Sequence, residues 1–101
     1  MSNTDFLVEV DQFIDENWEE IVDEIAKLVS VPSIADFDRA TPEDPSGPEA
    51  HDGLRAAVDL AARLGFDAKD DAGQIGIADL EGESDTMLGM ICHSDVVAPG
   101  I

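Results

Sequence analysis

Basic residues are scarce: 5 Lys and Arg stand against 24 Asp and Glu in 101 residues, a formal charge of −19. A surface so negative repels phosphate backbones and anionic headgroups, which excludes nucleic acid and the membrane surface as partners and leaves cations, basic ligands and metal ions. Cysteine is almost absent. Cys92 stands alone, so no internal disulfide supports the fold, and a reducing compartment suits the chain. Long apolar runs are also missing. Nothing approaches the roughly 18 consecutive apolar residues of a membrane span, and Met1-Ser2-Asn3-Thr4-Asp5 lacks the basic and apolar regions of a signal peptide. A cytoplasmic location is the expectation. Hydrophobic residues nonetheless make up 44%, an ordinary globular share, so the chain reads as one folded domain or less with a small core. The acidic excess fits either a solvated surface or adaptation to high salt, where screening relieves self-repulsion.

From Asp5 to Val29 the residues Ile14, Trp18, Ile21, Val22, Ile25, Leu28 and Val29 fall on one helical face, opposite Asp15, Glu16, Glu19, Glu20, Asp23 and Glu24. Like charges one turn apart mean that this helix, over about 5–29, needs packing against other elements. Pro32 ends it. Residues 32–48 form a proline-rich ordered loop. Ser46-Gly47-Pro48-Glu49 reads as a capping box opening a second helix over about 47–64, with Leu54, Ala57, Val58, Ala61 and Leu64 as its buried stripe and Gly65 as its left-handed stop. Three strands follow, at about 66–69, 74–80 and 86–92. The last, Thr86-Met87-Leu88-Gly89-Met90-Ile91-Cys92, is apolar on both faces, as in the middle of a covered sheet. The fold class is α/β, two helices and three strands on a partly mixed sheet.

The third strand runs into His93-Ser94-Asp95-Val96-Val97-Ala98-Pro99-Gly100, and ligand-binding groups in α/β proteins gather at such strand ends. In extended backbone His93 and Asp95 project to the same side. A neutral imidazole ligates zinc or manganese through one ring nitrogen, while a carboxylate taking the other N–H fixes the tautomer and raises ligand basicity. Other residues carry less. His51 reads as a solvent-facing helical histidine. Cys92, between Ile91 and His93, reads as a buried, inert thiol. Asp36-Phe37-Asp38 and Asp70-Asp71 lack the glycine and glutamate positions of a calcium loop. Trp18 and Phe13 read as packing residues, and there is neither a glycine-rich phosphate loop nor a Gly-x-Ser-x-Gly elbow.

The string Leu88-Gly89-Met90-Ile91-Cys92-His93-Ser94-Asp95-Val96-Val97 resembles the first metal-binding motif of the zinc metallopeptidase family that includes peptidase V, carnosinase, aminoacylase and succinyl-diaminopimelate desuccinylase. Leu28-Val29-Ser30-Val31-Pro32-Ser33 is similar to that family's opening segment, and the loop, second helix and Leu64-Gly65-Phe66 look most like its peptidase V (Sapep-type) dipeptidases. Nearly the whole chain fits. Two positions depart: Ala98 separates the two valines from Pro99, and Cys92 stands where the family commonly has glycine.

The resemblance implies the N-terminal part of an α/β/α catalytic domain hydrolysing dipeptides or related amides with two bound metal ions, zinc first, with manganese or cobalt as substitutes. It implies that His93 ligates one ion and that Asp95 orients this histidine without binding metal. The family's bridging carboxylate, general base and remaining ligands lie farther along than Ile101, so the chain reads as a fragment, inactive alone. A related reading is an N-acyl amino acid deacylase of the same family. The rival from another class is a complete acidic binding module without catalysis, which would need a self-sufficient sheet.

Overall fold

The computed structural model describes residues 3–99 and divides the chain into two compact units, residues 1–30 and 31–101. The first unit holds helices α1 (Asn3–Glu16) and α2 (Trp18–Ser30). The single helix expected over 5–29 is therefore interrupted at Asn17. The cause is local: the Phe13 carbonyl accepts both the Asn17 backbone N–H at 3.0 Å and its side-chain Nδ2 at 2.8 Å. An amide side chain competing for the backbone in this way is why Asn is a poor interior helix residue. The apolar stripe stays open to solvent, with Trp18 58% exposed. Burial of a stripe needs a second apolar surface laid against it, and neither helix contains a buried residue. Among the described residues no helix is long and apolar enough to cross a membrane.

The second unit begins with the loop after Pro32, which includes one 3-10 turn at Phe37–Arg39 capped by the Asp36 carboxylate. Helix α3 (Pro48–Arg63) follows, and then an antiparallel hairpin of β1 (Asp67–Asp71) and β2 (Ile75–Asp79), with Ala68 opposite Ala78 and Lys69 opposite Ile77. The capping box expected from Ser46 is not formed. Gly47 occupies the N-cap with φ +94° and no side-chain hydrogen bond, because the Asp36 stretch crosses this point: Asp36 N–H donates to the Ser46 carbonyl at 2.9 Å, and a Cβ on Gly47 would stand 2.7 Å from the Asp36 carbonyl oxygen. At the other end, Gly65 N–H reaches Ala62 O and Phe66 N–H reaches Ala61 O, the paired bonds of a Schellman stop.

Helix α3 lies on the hairpin, where Leu54 and Val58 meet Gly76; a Cβ there would stand 2.9 Å and 3.0 Å from their methyl groups. The apolar stripe is only half-buried, and Leu64 is exposed. The buried residues instead cluster at the start of α3: Gly47, Ala50, His51 and Gly53, with Ser33 beside them. This is a core of small residues, set by close backbone approach. The hairpin turn joins it. Ala72 and Gly73 both take positive φ, 58° and 72°, as in the mirror-image turns that match strand twist. A Cβ on Gly73 would overlap the Glu43 carbonyl oxygen. Gly73→Ala is therefore expected to destabilise the hairpin by about 1 to 3 kcal/mol, from the left-handed backbone and the overlap together. Urea unfolding followed at the β1–β2 amides measures it; an unchanged midpoint would show that the turn moves freely away from the 43–45 loop.

The third expected strand is not formed. Residues 86–92 run without a strand partner among the described residues, and Leu88 and Ile91 are 90% and 101% exposed. An apolar pattern on both faces suits a central strand, but a strand exists only where neighbours accept its backbone hydrogen bonds. The observed sheet is thus two-stranded and antiparallel, and among the described residues the one parallel pairing is an isolated bridge between Ile34 and Val96.

Candidate functional site

The His93–Asp95 segment is tied to the rest of its unit through Ser33. The Ser33 carbonyl accepts the Val96 N–H at 3.0 Å, and its hydroxyl donates to the Ser94 carbonyl at 2.8 Å. Ser33 is 4% exposed, whereas the segment it holds faces solvent.

The alternation of extended backbone brings His93 and Asp95 together. His93 Nδ1 lies 3.0 Å from the Asp95 main-chain carbonyl oxygen and 3.3 Å from its carboxylate Oδ1. A carbonyl only accepts, so this contact places a proton on Nδ1, and in the neutral ring Nε2 then carries the free lone pair. That is the arrangement a metal-binding histidine requires, one nitrogen held and oriented and the other outward. The side chain is 83% exposed. Among the described residues, however, no three His, Cys, Asp or Glu side chains gather to hold a metal ion. His93 fits as one ligand and the segment as part of a site. Cys92, expected to be buried, is exposed, because the strand meant to bury it is not paired.

The residue that sequence reasoning misplaced is His51. It is 7% exposed, and both ring nitrogens face carboxylates: Nδ1 lies 2.5 Å from Asp44 Oδ1, and Nε2 contacts Asp70 Oδ2. Each partner is fixed independently. Asp44 N–H donates to Thr41 Oγ1 at 2.9 Å, and Asp70 Oδ1 accepts the Gly73 N–H at 2.8 Å. Two acceptors, one at each nitrogen, require two N–H donors, which only the imidazolium provides. The hydrogen bonds to Asp44 and Asp70 accordingly raise the His51 pKa above its ordinary 6.5, against desolvation and the nearby Arg55, whose Nη2 lies 3.3 Å from Nδ1. Asp70 moves the other way, held below its ordinary 3.8 chiefly by the hydrogen bond from His51. His51 thus clamps the 41–46 loop, α3 and the hairpin turn together. Its partners lie 7 and 19 residues away on other elements, Asp44 in the loop before α3 and Asp70 in β1, so nothing in the helix's own pattern announces the clamp.

No family model matches the chain. Individual proteins do. A putative dipeptidase of Staphylococcus haemolyticus is 36% identical over 84 residues, covering 80% of this chain and 17% of that protein. The putative dipeptidase YtjP of Bacillus subtilis is 30% identical over 82 residues, covering 81% and 18%. The Beta-Ala-Xaa dipeptidase of Lactobacillus delbrueckii subsp. lactis is 34% identical over 80 residues, covering 79% and 17%. Four-fifths of this chain is dipeptidase-like in sequence. It spans about one-sixth of the length of these relatives.

Proposed function

We propose that this chain is the N-terminal part of the catalytic domain of a metal-dependent dipeptidase, with His93 ligating one of two metal ions through Nε2 and Asp95 orienting the ring. The observation that carries the reading is the Nδ1 contact to Asp95, which leaves Nε2 as the outward donor, in a segment joined to dipeptidase-like sequence. Bound zinc, or manganese or cobalt in its place, would polarise the scissile carbonyl and lower the pKa of the attacking water. The chain's own contribution is to hold the imidazole in one tautomer, at the end of a segment fastened by Ser33. The relatives' names support dipeptides as substrates, β-alanyl dipeptides among them.

A two-metal hydrolase needs several carboxylate and histidine ligands and a general base, and one imidazole supplies neither. The purified 101-residue chain is therefore expected to hydrolyse no dipeptide and no N-acyl amino acid with zinc, manganese or cobalt added. The measurement is product release, with the His93→Ala chain in parallel. Turnover by the unmodified chain that disappears in His93→Ala would overturn the fragment reading, since a complete site would then exist within these residues.

A further inference from the structure

The geometry points to Ser33 as the positioning residue of the His93–Asp95 segment, with Gly53 reserving the space in which it works. The proposal rests on the dipeptidase reading for its consequence in catalysis, but its geometry stands without it.

In a regular parallel pair, a residue bonds to the two neighbours of the residue opposite it: its N–H donates to the carbonyl before, and its carbonyl accepts from the amide after. Ser33 stands opposite Asp95 in this sense. Its carbonyl accepts the Val96 N–H at 3.0 Å, as a ladder requires, but its own N–H is directed to the Val31 carbonyl at 2.8 Å. The Ser94 carbonyl would be left without its ladder donor. The Ser33 hydroxyl takes that place at 2.8 Å. Both peptide groups flanking Asp95 are thus held by one residue, although the segment has no other strand partner among the described residues.

The grip needs Ser33 to sit deep, and the helix provides for this by having no side chain there: a Cβ on Gly53 would overlap Ser33 Cβ. Ser33 is buried at 4% exposure against Gly53 of α3, while His93 is exposed. The hydroxyl therefore couples a fixed point to a segment with little packing of its own. Losing that coupling frees residues 93–97 to leave the extended form in which the His93 ring meets the Asp95 carbonyl. Serine suits the position because alanine has no donor, and cysteine is a weak one of similar shape.

The test uses the 101-residue chain, without metal or substrate, as wild type, Ser33→Cys and Ser33→Ala. Amide hydrogen exchange at Val96 is expected to quicken by about tenfold or more in Ser33→Ala and by less in Ser33→Cys, with Ala68 and Ile77 in the hairpin unchanged. Imidazole nitrogen shifts should show His93 losing its preference for the Nδ1–H tautomer in the same order, while the doubly protonated ring of His51 keeps its shifts. Unchanged exchange and tautomer in Ser33→Ala would overturn the proposal. So would equal loosening of the hairpin in both variants, which would make Ser33 a general support of the fold. In a full-length dipeptidase carrying this segment, Ser33→Ala should lower kcat with little change in KM. An inactive full-length wild type would sink the dipeptidase reading and leave the exchange result intact.

Discussion

In a full-length dipeptidase carrying this segment, His93→Ala is expected to lose one of two metal ions and to bring activity to background. On the proposed ligation a direct metal bond disappears, and alanine offers no replacement donor. Asp95→Asn should be far milder. Changes to groups that support a ligating histidine typically cost about 10 to 100-fold in metal affinity or activity. The present geometry places this substitution at the lower end, near 10-fold. The nearest acceptor to His93 Nδ1 is the Asp95 main-chain carbonyl at 3.0 Å, which asparagine keeps, and the carboxylate lies farther off at 3.3 Å. Metal content by mass spectrometry and turnover rates on both variants separate the roles. Metal loss in Asp95→Asn as complete as in His93→Ala would make Asp95 a ligand itself, and unchanged metal content in both would place the site elsewhere.

Removing the His51 ring should destabilise residues 31–99 more than any other single truncation in that unit. His51→Ala leaves Asp44 and Asp70 facing one another across the vacated space without the ring that joins them. Breaking a fully buried ion pair costs roughly 3 to 5 kcal/mol. Here the carboxylates are about a quarter exposed, so about 2 to 3 kcal/mol is expected after allowance for solvent screening.

The pH dependence has a defined sign. His51 is raised in the folded state, so its contribution is fully present below its ordinary 6.5 and is lost as pH climbs through the raised folded value. Asp70 is lowered, so its contribution is present above its ordinary 3.8 and is lost as pH falls through the depressed value. The stability difference between wild type and His51→Ala should therefore form a plateau between about pH 4 and 6.5 and shrink on the alkaline side. Taking the difference removes the self-repulsion of the −19 charge, which both proteins share. Asp70→Asn should bring the His51 titration back towards ordinary values by NMR. A difference that stayed flat from pH 5 to 9 would show that the ring is not held as imidazolium.

Short-range backbone chemistry was legible from residue order alone. Gly65 ends α3 in the left-handed form because its stop depends on bonds only three to five residues back, and the glycine at 73 announces a turn because positive φ is a property of that residue itself. The meeting of His93 with Asp95 follows equally from the two-residue repeat of extended chain. What the tertiary structure decided is which of these pieces touch. An apolar run at 86–92 has the composition of a central strand, yet its pairing is a property of neighbours and not of the run, so it stays exposed. Asn17 breaks a continuous apolar pattern through one side-chain hydrogen bond that periodicity does not register. Gly47 rather than Ser46 starts α3, because the Asp36 stretch crosses there. His51 looks like any polar helical residue until Asp44 and Asp70 arrive from the loop and the hairpin, and Ser33 gains its role from a carbonyl 61 residues away. Local conformational preference sets the elements; burial and charge pairing depend on surfaces that only the folded chain brings into contact.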